Sequence, residues 1–242
     1  MIRLLSLFSG IGAFEKALEN LGVDFKIVNY CEIDKYASKA YSLIHNVPEE
    51  RNLGDITKID TRSLMGLNID LVTYGFPCQD ISIAGKQKGF TDEDGNITRS
   101  GLISYAMGVI SATKPKVAIA ENVKNLMSKK FLPLYDMTVK FLDFLGYVTY
   151  AQVLNAADYG MPQNRERVFL VSVRKDICKK EFEFPEPIPL TKYMKDYLEK
   201  DVPSEYDLSE DALKYMERTV GGGGIIGISN IIQIPEGCLH TV

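Results

Sequence analysis

Apolar residues along this chain follow two alternating rhythms. Short continuous runs read as strands buried on both faces. Stretches with apolar residues every three or four positions read as helices. The runs are IRLLSLF (2–8), FKIVNYCE (25–32), IDLVTYG (69–75) and KVAIAEN (116–122). Between them, Phe14, Ala17, Leu18 and Leu21 have helical spacing, with Gly22 as a stop. A second helix is predicted over Asp34–His45, opening on an N-cap residue. Gly101–Thr113 and Leu132–Gly146 read as two more helices. The closing strands, Tyr147–Asn155 and Arg167–Arg174, have no helix between them. The alternation predicts an α/β fold with a mostly parallel, doubly wound sheet, and the last pair predicts an antiparallel edge hairpin.

The text changes after Pro185. A proline-rich connector (PEPIPL) leads to one capped helix, Ser209–Thr219, and then to a glycine-rich tail from Gly221 to Val242. The expected division is therefore 1–185 as the main domain and 186–242 as connector, helix and tail. The chain has 242 residues, 45% of them hydrophobic and 25% charged, enough for a real core and too balanced for wholesale disorder. No apolar run reaches the roughly 20 residues of a membrane span. The amino terminus has no cleavage-site pattern and reads as a strand. Cys31, Cys78, Cys178 and Cys238 form no CxxC pair, and His45 and His240 are the only histidines. Neither a zinc cluster nor a disulfide framework is expected, and reduced thiols in a cytoplasmic protein are.

The net charge of −4 gives no global basic field for nucleic acid. Between Asp80 and Lys130, however, eight Lys and Arg face five Asp and Glu, so the rest of the chain is more acidic still. That local excess fits a solvated face or a polyanion site.

In doubly wound sheets ligands bind beyond the carboxyl ends of the strands. The unusual polar motifs all sit there: Ser9–Gly12, Glu32, Asp55, Pro77–Cys78 and Glu121–Asn122. FSGIG (8–12) reads as a tight turn or as a place of close ligand approach. It lacks the third glycine of a dinucleotide fingerprint, which disfavours a pyrophosphate cofactor. Glu32, about 20 residues on, is either a solvated acid or an acceptor for ribose hydroxyls. Asp55 in GDIT is either a helix N-cap or an acceptor for an exocyclic amine. Cys78 follows Gly75-Phe76-Pro77 and is either a small buried filler or a thiol held out as a nucleophile. Glu121 is expected near it across the sheet top, where a protonated acid donates to a ring nitrogen. Arg165 and Arg167 lie two apart and suit a planar or anionic group, or a surface ion pair.

At these residues the chain resembles the DNA (cytosine-5) methyltransferase family, of the bacterial or phage restriction-modification or orphan type. The matching segments are LFSGIGAFEKAL, EIDKYA, GDIT, GFPCQDISIAGKQKGF, ENVKNL and LNAADYGMPQNRERVFLV, in the family's order from Ile2 to about Arg174. The resemblance implies a Rossmann-like class I methyltransferase fold and S-adenosylmethionine as methyl donor. It implies a cofactor site at Phe8, Ser9, Gly10, Gly12, Glu32, Ile33, Asp55, Ile56 and Pro77. Phe8 would stack on adenine, Glu32 would hold the ribose and Asp55 the adenine amine. Cys78 would attack C6 of a cytosine flipped out of double-stranded DNA, and Glu121 would serve N3. Pro77, Asn122, Arg165 and Arg167 would support the site. Gln79, Ser82, Lys86 and Lys88 would contact DNA, with no metal and no membrane involved.

The family pattern normally continues into a target-recognition region and a final segment that packs on the cofactor pocket. Neither is found after Pro185. The resemblance therefore implies catalytic machinery whose recognition part is missing or is supplied by a second polypeptide. A cofactor- or DNA-binding relative without activity and a transfer RNA cytosine-5 methyltransferase remain as alternatives. The GFPCQ wording favours DNA.

Overall fold

The computed structural model describes residues 1–77, 100–212 and 214. The predicted helix over Ser209–Thr219 lies mostly outside these residues, and the tail from Gly221 lies wholly outside them. The chain divides into two compact units, Met1–Leu154 with Arg167–Phe184, and Asn155–Glu166 with Pro185–Val242. The first unit holds most of a six-stranded sheet.

Its strands are β1 (Ile2–Leu7), β2 (Phe25–Cys31), β3 (Leu71–Tyr74), β4 (Val117–Val123), β5 (Tyr147–Asn155) and β6 (Glu166–Arg174). The sheet order is β2-β1-β3-β4-β6-β5. The first four strands are parallel, and β6 runs antiparallel to β4. The helices are α1 (Ala13–Asn20), α2 (Lys35–His45), α3 (Ile103–Thr113) and α4 (Leu132–Phe144). Strand order across the sheet reverses at β1, whose neighbours are β2 on one side and β3 on the other. Such a switch point opens a crevice beyond the strand ends.

The core forms because the continuous apolar runs have no polar face to show water. All four residues of β3 are buried, as are Leu4, Leu5 and Leu7 of β1 and Ala118 and Ala120 of β4. Asp34 caps α2, as its sequence position predicts, accepting from the N–H groups of Tyr36 (2.9 Å) and Ala37 (2.8 Å). One buried polar contact ties three elements together. Glu15 of α1 is fully buried and accepts from the Tyr41 hydroxyl of α2 at 2.8 Å. The Tyr41 ring stacks on Tyr30 of β2 with centroids 4.1 Å apart. Burial, and after it the neighbouring Glu15 carboxyl, push the Tyr41 hydroxyl far above its ordinary value, so it remains a donor.

At the opposite end of the sheet from the candidate site, Asp70 joins three strands. Its carboxylate accepts from the Arg3 N–H at 3.0 Å and pairs with Lys116 Nζ at 2.8 Å. These two contacts, the Lys116 bond first, hold the Asp70 carboxyl below the usual range.

Candidate active site

Strand register sets the site. Cys31, Leu7, Tyr74 and Ala120 are paired in turn across β2, β1, β3 and β4. One step further along each strand come Glu32, Phe8, Gly75 and Glu121, so four separated sequence motifs emerge at neighbouring strand ends.

On the β1 side the chain leaves the sheet through a turn closed by the Gly12 N–H donating to the Ser9 carbonyl at 2.9 Å. Phe8 takes a left-handed backbone, φ 55°, unusual for a residue with a side chain. Gly10 is also left-handed, and a side chain built there would meet nothing within 4 Å. Gly12 differs. Its φ is 87°, and an added Cβ would stand 2.0 Å from His45 Nε2. His45 fills that space itself, donating from Nε2 to the Ile11 carbonyl at 3.0 Å. Sequence reading passes over His45, because a lone histidine at a helix end carries no pattern. The Ser9 hydroxyl oxygen is buried and has no hydrogen-bond partner among the described residues.

Glu32 closes the turn from the β2 side. One carboxylate oxygen accepts from the Gly10 N–H and the other from the Asp34 N–H, both at 2.8 Å. Each oxygen keeps a further lone pair. Asp55 is a cap, as one of its two sequence readings requires. Its Oδ1 accepts from the Thr57 N–H at 3.0 Å and the Thr57 hydroxyl at 2.8 Å. These bonds to Thr57 hold the Asp55 carboxyl below the usual range. Its Oδ2 stands 3.8 Å from Lys58 Nζ. Ile33 is largely exposed beside Glu32, whereas Ile56 packs into the core. Cys31 is buried, its thiol donates to the Gly54 carbonyl at 3.0 Å, and burial pushes it up to about 12. A thiol so placed is inert at neutral pH.

On the β3–β4 side, residues 75–77 lead toward Cys78. Cys78 itself, with Gln79, Ser82, Lys86 and Lys88, lies outside the described residues. A Cβ at Gly75 would stand 3.7 Å from a Glu121 carboxylate oxygen, so the backbone leaving β3 runs beside that side chain. Asn122 is buried and donates to the Phe76 carbonyl at 3.0 Å. Glu121 pairs with Arg167 Nε of β6 at 2.9 Å. The sequence reading set the Glu121 carboxyl against the thiol alone; the structure adds a guanidinium. The two arginines part company here. Arg167 belongs to the sheet. Arg165 lies in the second unit, in the loop after β5, where its N–H donates to Asn155 Oδ1 at 3.0 Å and its carbonyl accepts from Ala156.

A mostly parallel, doubly wound sheet with a glycine turn and acids at the strand ends beside its switch point has a Rossmann-like architecture. Solved methyltransferase structures share this fold. A Spodoptera frugiperda DNMT2 mutant superimposes with a TM-score of 0.72 at 22% identity, covering 90% of this chain and 65% of that one. An Entamoeba histolytica methyltransferase gives 0.69 at 22% identity, covering 88% and 64%. The C-5 cytosine-specific DNA methylase family model matches residues 2–232. The chain belongs to that family.

Among curated relatives, the orphan methyltransferase M.SPRI of Bacillus phage SPR is 36% identical over 238 residues, 87% of this chain and 53% of that protein. The type II methyltransferase M.HhaI of Haemophilus parahaemolyticus is 37% identical over 205 residues, 85% of this chain and 59% of that protein. The chain thus spans a little over half the length of these relatives.

Proposed function

We propose that this chain carries the methyl-transferring half of a cytosine-5 DNA methyltransferase, with S-adenosylmethionine as donor and double-stranded DNA as substrate. The observation that carries the reading is the row of strand ends bearing Glu32, Phe8, Gly75 and Glu121. It supports a nucleoside-type site beside the segment that leads to Cys78, at the carboxyl ends of neighbouring strands.

The residues present fit the cofactor. Ser9 offers a buried hydroxyl without a partner among the described residues, Gly10 has open space beside it, and Glu32 keeps lone pairs for ribose hydroxyls. Phe8, Ser9, Gly10, Gly12, Glu32, Ile33, Asp55, Ile56 and Pro77 would hold it. When bound, S-adenosylmethionine supplies an electrophilic methyl group.

Cytosine C5 is too weak a nucleophile to take that group unaided. The Cys78 thiolate adds to C6, forming a carbon–sulfur bond, while Glu121 delivers a proton at N3 and removes the developing charge. C5 becomes the nucleophilic end of an enamine. Once C5 carries the methyl group, its proton leaves to water, the C5–H electron pair expels the thiolate from C6, and N3 returns its proton to the Glu121 carboxylate, which restores the aromatic ring. Arg167 orients the Glu121 carboxyl through their 2.9 Å contact. Asn122 steadies the segment entering Cys78 by holding the Phe76 carbonyl. The family resemblance also assigns Arg165 a supporting role. The base leaves the duplex to react, and Gln79, Ser82, Lys86 and Lys88 contact the DNA around it. A target-recognition part, on a second polypeptide or on further sequence, selects the site.

The test is covalent capture on a duplex containing 5-fluorocytosine, with labelled donor, with and without a candidate recognition partner. Fluorine replaces the proton that must leave, so the adduct cannot resolve. The expected adduct maps to the Cys78 peptide, disappears in Cys78→Ser and forms about a hundredfold more slowly in Glu121→Gln. No adduct under any of these conditions, with donor binding intact, overturns the reading.

A further inference from the structure

Asn52 stands in the link between α2 and the short turn Ile56–Lys58, two residues before GDIT and in none of the motifs that the sequence singled out. Its side-chain amide makes four hydrogen bonds. Oδ1 accepts from the N–H groups of Glu32 (3.0 Å) and Gly54 (2.9 Å). Nδ2 donates to the Glu32 carbonyl and to Ser38 Oγ, both at 2.9 Å. An amide has two N–H donors and two acceptor lone pairs, so its capacity is filled.

Three of the four partners are backbone groups of just two residues, Glu32 and Gly54. Gly54 is held from the other side as well, because the Cys31 thiol donates to its carbonyl. The fourth partner, Ser38 Oγ, lies 3.1 Å from the Tyr30 hydroxyl in a buried contact, which roots the bracket in α2 and β2. The amide therefore links the backbone of the β2 acid to the backbone immediately before Asp55.

We propose that Asn52 is a positioning residue for the nucleoside half of the cofactor. It holds Glu32, assigned to the ribose, and Asp55, assigned to the adenine amine, in one fixed relation, so that the two contacts form together. The inference rests on the cofactor reading above and deepens it. Truncating Asn52 leaves the Glu32 N–H and carbonyl and the Gly54 N–H without this partner, so among the described residues 53–55 keep only the Leu53 N–H bond to the Tyr30 carbonyl and the Cys31 thiol bond to the Gly54 carbonyl as hydrogen-bonded ties to β2.

The test compares S-adenosylhomocysteine with S-inosylhomocysteine, which carries a carbonyl where adenine has its amine. Dissociation constants are measured by calorimetry on the full chain as wild type, Asn52→Ala and Asn52→Asp, with thermal melts alongside. Asn52→Ala weakens S-adenosylhomocysteine by about tenfold or more, the loss expected from two or more hydrogen bonds. The wild-type preference for adenosyl over inosyl also shrinks, to within about twofold of unity, because Asp55 is no longer set by the bracket. Asn52→Asp, nearly isosteric, keeps the accepted bonds, loses the donated ones and falls between. If Asn52→Ala does not fold, Asn52→Asp decides by the same ratio.

A merely structural role weakens both ligands alike and leaves the ratio unchanged. That result, or an unchanged affinity for S-adenosylhomocysteine, overturns the proposal. A wild-type chain that binds neither ligand overturns the cofactor reading itself, and the role of Asn52 with it.

Discussion

A methyl group added at Gly12 has nowhere to go. His45 Nε2 stands 2.0 Å from where the new Cβ would be, and the backbone is left-handed. Gly12→Ala is therefore expected to cost about 2 kcal/mol or more in urea unfolding, part from the backbone and part from the clash. Gly12→Ala combined with His45→Ala should cost less than the two single changes summed, because the clash is gone; strict additivity would show that the imidazole is not the obstacle. The need for glycine in this turn was legible in FSGIG. Its reason was not, since the obstacle comes from the far end of α2, distant in sequence. Asn52 was hidden in the same way. An asparagine in a polar link is ordinary in sequence, and only folding shows that its amide grips two other segments. The candidate chemistry at Glu32 and Glu121 was legible because strand ends collect ligands and each motif stood at one.

Among the elements, the parallel strands were predicted well because buried runs leave little choice. β5 matches its predicted span, and β1, β2, β4 and β6 differ by a residue or so. β3 is shorter, Leu71–Tyr74, because Ile69 and Asp70 precede its ladder and Gly75 begins the site. What alternation did not give is the placement of β6 between β4 and β5. The contrast was present in composition: β6 carries Val168, Leu170 and Val171 into the core, whereas β5 fully buries only Tyr147. A strand with two covered sides needs more apolar residues than an edge strand. Asp70 binds β1, β3 and β4 together at their starts, and its acidity gives this bracket a pH dependence. The folded carboxyl lies below its ordinary value of about 3.9, so the stabilisation is full above that pH and is lost as pH falls through the lowered folded value. Asp70→Asn should therefore lower the urea midpoint at pH 7, and the gap to wild type should narrow at about pH 3. A gap independent of pH would assign the effect to packing.

For the whole molecule, net charge and local charge point in different directions. A chain of net charge −4 should avoid DNA, yet the segment around Cys78 has a positive excess. Under the proposed function, binding is driven locally and opposed globally, so it should fall steeply with salt. Measured as log K against log salt on a short duplex, the slope should become shallower by about 2 when Lys86→Ala and Lys88→Ala are combined, roughly one unit for each phosphate that is no longer neutralised. An unchanged slope would remove these lysines from the DNA interface. Phe8 carries the last consequence. Its left-handed backbone costs on the order of 1 kcal/mol that a glycine would not incur. A redesign scored only on backbone comfort would replace Phe8 early. It would strip from the turn where the donor is proposed to bind an aromatic ring that also packs against the core. Backbone comfort and the proposed donor contact are thus set against each other at a single torsion angle, and position 8 is where an engineer of this chain would first meet that conflict.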